Sequence, residues 1–493
     1  MGIYKTIDTA KNGMLIPVFQ SGRTMESRYN PLRDAENLCN TITTEAGFFL
    51  VIGIGSGLFI QTLIDKYPSA KITAIELFSE DVAFLRQLET IKSLEDNQNI
   101  ILTDLDNLQK TLLQNYFPAK YGDLQIIEQK AWLNENQEKI PEIKNEIQKA
   151  LGIISADYSV QAHFGKIWTS NILNNAKLYK STKNFTFNIS NEIKSKTAVI
   201  VAAGPSLDST IKTISPRENF YIIATDTAGS SLKKRGITPD VIISIDGQNV
   251  SFNHFIHSAP SPLYAFDLCA NFSAVQHIAD KNSKILFFCS GHPLAEAINS
   301  SSGFPLPKFF SGAGTVTITA LDFALQAGFS KILILGADFS YMHGKAYTSG
   351  TYLETLYQKD SNKLYTAEKL YSKLMYRTSL IQISNNCFTT SVLEAYKMSL
   401  EKYLNMKGIK FFKKNDIYEI SADSNSLNQI KILSSTPDLF NNFIKKFISS
   451  NPEETETLLL PYVAWLRHNE KFKKSSYKEL LKLAFDSIVS YNI

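Results

Sequence analysis

The chain is poor in the features that mark several protein classes. Cysteine occurs only four times, at Cys39, Cys269, Cys289 and Cys387. No two of these are spaced as a CxxC pair, so neither a zinc site nor a disulfide framework is expected. No apolar run reaches the length needed to cross a bilayer, and the opening MGIYKTIDTAKNG has no apolar core of the kind a signal peptide carries. A cytoplasmic protein without a membrane span is expected. A net charge of +4 over 493 residues is small. Clusters such as Lys233-Lys234-Arg235 and Lys471-Phe472-Lys473-Lys474 are therefore expected to be solvated helix faces, with no nucleic-acid partner. No GxxxxGK[ST] phosphate loop, internal repeat or low-complexity tract is present.

What is there is the composition of a globular protein, 44% hydrophobic and 20% charged, on a chain too long for one core. The patterning predicts an α/β fold in three parts. Residues 1–185 form a Rossmann-like domain, 186–425 a central doubly wound α/β domain, and 426–493 a helical domain. In the first, the strand Phe48–Ile52 leads into Gly53, Gly55 and Gly57, and a second strand ends on Glu76. That is a nucleotide-binding pattern. It also suits a methyltransferase in which Glu76 holds the ribose of S-adenosylmethionine, or glycines that only pack helix on strand. Residues from Trp132 to about Lys180 read as helical.

The central part is organised around TAVIVAAGPSLD, residues 197–208. A buried strand ends at a sharp turn, and Ser206 is placed to cap the helix that follows. Free N–H groups and the positive end of a helix dipole at a sheet's carboxyl edge attract phosphate, although an ordinary βα turn has the same pattern. Five further apolar runs (220–226, 240–246, 263–268, 284–289 and 331–338) predict a mostly parallel sheet. Three of its strands end on Asp226, Asp246 and Asp338. Two more segments converge there: Ser311, Gly312, Gly314 and Thr315 ahead of a helix with Ala320, Ala324 and Ala327 on one side, and a loop carrying Asp338, Tyr341, His343, Lys345 and Tyr347. Tyrosine or lysine in such a loop can donate to a departing phosphate, and His343 is a candidate general base. A strand at 408–412 and a helical C-terminal stretch complete the reading.

The order GPSLD, TDTAGSSLKKRGITPDVIISID, SGAGTVTITALDFALQAG, ILILGADFSY resembles the motility-associated factor (Maf) family of flagellin glycosyltransferases. SRYNPLRDAENL and the VIGIGSG–AIEL unit resemble that family's N-terminal domain. Its central domain is similar in turn to bacterial CMP-sialic acid sialyltransferases and archaeal 6-hydroxymethylpterin diphosphokinases. The resemblance implies transfer of a nonulosonic sugar, of sialic, pseudaminic or legionaminic type, from a CMP-activated donor to serine or threonine of flagellin. Such a donor already carries a charged leaving group, so orientation and hydrogen-bond donors are needed more than a metal, and no cofactor is expected to be required. By motif, Gly204, Pro205 and Ser206 would approach the donor phosphate, and Asp226 and Asp246 would lie by the nucleotide. Ser311, Gly312, Gly314 and Thr315 would line the donor pocket, and Asp338 would open the loop over it. Asp246, Tyr347, His343 and Asp338 are the candidate catalytic residues. Two departures stand out. Ala346-Tyr347 replaces the usual Thr-His pair, Tyr347 resembling a sialyltransferase tyrosine. No histidine lies between His343 and His468, so the base is His343, an aspartate, or the departing phosphate itself. The alternative, a diphosphokinase, would place Mg²⁺ on Asp226, Asp246 and Asp338 against ATP.

Overall fold

The computed structural model describes residues 2–180, 189–301, 305–312, 314–422 and 438–492. The expected domain limits at 185/186 and 425/426 lie outside these residues. The chain forms two compact units, Met1–Lys166 with Leu459–Asp486, and Ile167–Leu458 with Ser487–Ile493.

The first unit opens with a hairpin that the sequence pattern does not announce, β1 (Tyr4–Thr9) paired antiparallel with β2 (Leu15–Phe19). Its sheet is four parallel strands, β3 (Phe48–Ile52), β4 (Lys71–Glu76), β5 (Ile100–Asp104) and β6 (Leu124–Glu128), in the order β5-β4-β3-β6. All five residues of β3 are buried, as an unbroken apolar run in a doubly covered parallel strand should be. Helical patterning after Trp132 becomes one helix of 40 residues, Ile140–Tyr179.

The second unit carries the six runs foreseen above as β7 (Thr197–Val201), β8 (Phe220–Thr225), β9 (Val241–Ser244), β10 (Leu263–Asp267), β11 (Ile285–Phe288) and β12 (Lys331–Leu335). Neighbours among these six are parallel. A short sheet follows from β13 (Tyr341–Met342), β14 (Ile381–Ser384) and β15 (Cys387–Thr389), in the order β13-β15-β14. The strand expected at 408–412 is β16 (Lys410–Lys414). It turns at Asn415 and Asp416, both at positive φ, into β17 (Ile417–Ser421), which the sequence reading omits. The large sheet therefore has eight strands, β11-β10-β9-β8-β7-β12-β17-β16, with an antiparallel edge.

This order fixes where a ligand can sit. From β7 the chain winds outward to β11, then returns to lay β12 on the other side of β7. Connections after β7 and β12 thus leave in opposite directions, opening a crevice at their carboxyl ends. The helix Val316–Gln326 lies against the sheet with Ala320 and Ala324 fully buried, which is the close approach their small side chains allow. From the other side, Asn171 and Asn175 on the helix Ile140–Tyr179 reach under the strand ends. Asn171 Nδ2 donates to the carbonyls of Gly247 (3.0 Å) and Cys269 (3.1 Å), and Asn175 Nδ2 to those of Leu268 (2.9 Å) and Ala270 (2.8 Å). Buried carbonyls in these turns would otherwise be unpaired. The C-terminal residues form helices at Leu439–Ile448, Glu456–His468 and Tyr477–Val489.

Candidate functional site

At the switch point between β7 and β12 lies a cavity of about 390 Å³. Of the residues singled out from the sequence, Gly204, Asp226, Gly314, Thr315, Asp338 and Tyr347 line it, together with Tyr341. Pro205, Ser206, Asp246, Ser311, Gly312 and His343 do not. His343 is exposed at the tip of a turn, in left-handed backbone (φ 52°), its N–H bonded to the Asn386 carbonyl. Asp246 is half-buried, its Oδ1 accepting from the Gln248 N–H at 2.8 Å. Burial raises its pKa, and its charge is felt by Tyr352 and by Tyr396 of the cavity wall.

The GPS turn differs from expectation in an informative way. Its N–H groups are already taken: Gly204 donates to the Gly336 carbonyl (2.8 Å), and Ser206 to Asp338 Oδ2 (2.8 Å). Ser206 makes no side-chain cap, and the helix after it is a single turn, Leu207–Thr210. A phosphate cradle at this turn is therefore absent. Gly204 is required for a different reason, because a Cβ there would lie 2.4 Å from Asp338 Oδ2 and 2.5 Å from the Gly336 carbonyl. The motif is a clasp between the loops after β7 and β12.

The helix end that does meet the cavity belongs to Val316–Gln326. Gly314, Thr315, Val316 and Thr317 all line the cavity, and the Val316 and Thr317 N–H groups find no acceptor among the described residues. At the start of an eleven-residue helix without acid in its first turn, these donors suit an anion. Arg377 adds a cation to the same cavity; no ion pair engages it among the described residues. Its charge opposes the rise in pKa that burial imposes on Tyr347, another residue of the cavity wall. Burial dominates at Tyr347, which keeps its phenol a hydrogen-bond donor. Asp226 is committed to the protein: Oδ1 accepts from the Thr227 N–H (2.7 Å) and hydroxyl (3.1 Å), and Oδ2 from the Ser244 hydroxyl (2.5 Å).

Arg377, Thr378, Thr390 and Tyr396 were missed by motif reading because they come from the helix–hairpin region after Gly350. One signal was available. Arg377 is the only arginine between Arg235 and Arg467.

Asp208, the last residue of GPSLD, holds the loop over the cavity. Its carboxylate takes Arg235 (2.6 Å), Lys345 (3.1 Å), the Thr348 hydroxyl, and the Ser349 N–H (3.0 Å) and hydroxyl (3.1 Å). These donors outweigh its burial and bring its pKa down to about 2. Lys234 pairs with Glu354 at 2.9 Å. The Lys234-Arg235 cluster is therefore a tether for residues 345–354, which corrects its expected role as a solvated face.

The glycine-rich crevice of the first unit is closed by the unit's own side chains. Glu76, fully buried, accepts from Tyr4 Oη (2.7 Å), the Ile54 N–H (2.8 Å) and the Gly55 N–H (3.3 Å) at Oε1, and from Trp132 Nε1 (2.8 Å) at Oε2. Glu26 Oε1 accepts the Ser56 N–H at 2.7 Å, where a cofactor's anionic group would bind. A Cβ on Gly55 would lie 1.9 Å from Met25 Cε. Glu76 is fully buried with both oxygens accepting from protein groups, and Glu26 and Met25 occupy the glycine turn, so these residues do not fit S-adenosylmethionine or a dinucleotide, and the methyltransferase alternative is set aside. Burial raises the pKa of Glu76 to about 7; burial also raises that of Glu26 above the usual carboxylate range.

Residues 170–344 match the sequence model of a family described as 6-hydroxymethylpterin diphosphokinase MptE-like. Two uncharacterized proteins of Treponema pallidum (strain Nichols) are similar to the chain. One is 24% identical over 242 residues, 48% of this chain and 79% of the relative. The other is 36% identical over 150 residues, 29% of this chain and 69% of the relative. Among solved structures, a Maf glycosyltransferase from Magnetospirillum magneticum AMB-1 is similar at a TM-score of 0.48 and 12% identity, over 98% of this chain and 90% of that one.

Proposed function

The chain belongs to one family with the 36% identical Treponema pallidum protein, and we propose that its activity is transfer of a sugar from a nucleotide-activated donor. The donor is a CMP-linked nonulosonic acid, and the acceptor is a serine or threonine hydroxyl of flagellin. The observation that carries this reading is the composition of the cavity at the β7/β12 switch point. A helix N-terminus whose first N–H groups find no acceptor among the described residues, Arg377 and Tyr347 line it together, which is a set of donors for a phosphate already bonded to a sugar.

In the reaction so proposed, the acceptor oxygen bonds to the anomeric carbon as the bond from that carbon to the phosphate oxygen breaks. Negative charge grows on the departing phosphate. Val316 and Thr317 N–H, the Arg377 guanidinium and the Tyr347 hydroxyl stabilise it, each such donor contributing on the order of 10²–10³ in rate where measured elsewhere. The hydroxyl proton passes to the departing phosphate, since His343 stands outside the cavity and both oxygens of Asp226 already accept protein hydrogen bonds. Asp338 acts through the GPS turn, which it fixes against the loop after β12. All four cysteines are free thiols, the state a cytoplasmic setting maintains.

A second reading, ATP-dependent pyrophosphoryl transfer, is favoured by the match of residues 170–344 to the diphosphokinase-like family. It calls for Asp226, Asp246 and Asp338 to share a Mg²⁺, and Asp246 is not in the cavity wall with the other two. Thermal shift with CMP, and with ATP plus Mg²⁺, separates the two. Stabilisation by CMP that weakens in Arg377→Ala is expected. Stabilisation by ATP with Mg²⁺ alone would overturn the glycosyltransferase reading.

A further inference from the structure

The small sheet β13-β15-β14 forms one wall of the cavity. Tyr341 of β13, Thr390 directly after β15, and Arg377 and Thr378 just before β14 all line it. β14 is the outer strand. It pairs with β15 on one side and with no strand on the other among the described residues. All four of its residues, Ile-Gln-Ile-Ser, are exposed. Ile381 is 46% exposed and Ile383 60%, with Tyr376 (66%) and Val392 (50%) nearby in sequence. Proteins ordinarily protect such an edge with lysine, proline or a covering element, and Ile381–Ser384 contains no charge and no proline.

We propose that this edge docks the acceptor polypeptide, in extended form, as an added strand beside β14. The proposal rests on the glycosyltransferase reading and names the surface by which its acceptor is held. The argument is one of continuity. Only Ser379 and Leu380 separate β14 from Thr378, so even at the extended rise of about 3.3 Å per residue Ile381 lies within roughly 10 Å of that cavity residue. An antiparallel segment paired along β14 therefore continues towards the cavity mouth at Arg377–Thr378, where a serine or threonine a few positions beyond the paired stretch meets the donor. Main-chain hydrogen bonds supply the affinity in this mode, and alternate apolar side chains meet Ile381 and Ile383.

The test uses the full chain and a short synthetic peptide of alternating valine and threonine with glutamate ends. Hydrogen exchange across residues 379–386 should slow when the peptide is added. The peptide's affinity should fall at least about tenfold in Ile383→Pro, which removes a main-chain donor, and in Ile383→Lys, which keeps the backbone intact. CMP binding should be unchanged in both variants, because Ile383 is not part of the cavity wall. No slowing at millimolar peptide, or equal affinity in Ile383→Lys, overturns the proposal. So does concentration-dependent dimerisation that Ile383→Lys abolishes, since the edge would then serve a second copy of the chain. Loss of CMP binding in the unmodified protein would count against the donor reading instead, and peptide protection is read independently of it.

Discussion

Replacing Asp208 with asparagine removes the charge that four residues of the covering loop and helix neighbourhood share. The magnitude follows from the lowered pKa. Asp208 titrates at about 2 against an ordinary 3.8, and its side chain is 28% exposed, so the shift needs little discount for solvent. A difference of roughly 1.8 units corresponds to about 2 kcal/mol favouring the charged, tethered form. That stability is fully present above pH 3.8 and is lost as the pH falls towards 2. At neutral pH, Asp208→Asn should therefore raise the opening equilibrium of residues 345–350 by roughly 30-fold. The backbone amides that report it are Thr348, which donates to the Ala203 carbonyl, and Ser349, which donates to Asp208 itself. Hydrogen exchange on a peptide covering this loop reads the change directly. The same variant should raise the KM for donor more than it lowers kcat, because the loop brings Ala346 and Tyr347 to the cavity. Unchanged exchange of Thr348 and Ser349 would refute the tether, as would loss of protection already at pH 5 in the unmodified chain.

Three further outcomes are expected. Tyr347→Phe should lower kcat for donor turnover by about 10²-fold while leaving the melting temperature within a degree or two, measured by initial rates and calorimetry. Gly204→Ala should destabilise the second unit by about 2 kcal/mol or more, because backbone and the Asp338 carboxylate both crowd its Cβ; a denaturant midpoint equal to the parent's would show that the clasp yields freely. Glu76 binds a proton more tightly in the folded first unit than in the unfolded chain, so stability should fall as pH rises from 4.5 through about 7, by up to about 3 kcal/mol. Urea unfolding followed by Trp132 fluorescence measures that slope. Glu76→Gln should flatten it except for a residue from Glu26, whose pKa is raised in the same direction.

Much of the second unit was legible because its determinants are local. Buried parallel strands write themselves as apolar runs, and β7 to β12 fall where those runs fall. Ala320 and Ala324 announced a close helix through their size. What failed to show depends on partners far away in the chain. Glycine at 204 reads the same whether it frees N–H groups for phosphate or lets Asp338 approach, and only residue 338's position decides. Arg377 carries no motif, since a guanidinium needs only reach and an open wall. β17 was obscured by lysines along β16 and by the Asn415-Asp416 turn, which lacks the glycine that a hairpin usually signals. The glycines at 53, 55 and 57 and the acid at 76 were correctly placed on a βαβ unit. Their meaning was hidden by Tyr4, Met25, Glu26 and Trp132, which no spacing rule connects to them.

That closed crevice has a thermodynamic consequence. A fold that keeps its nucleotide site for a diffusible molecule is stabilised by RT ln(1 + [L]/Kd), and its population follows the supply of that molecule. Here Glu26 and Tyr4 are covalently attached to the fold they complete, so their effective concentration never changes. A nucleotide in that crevice would therefore add nothing to the first unit's stability, whereas on the reading proposed above the second unit's stability rises with its donor.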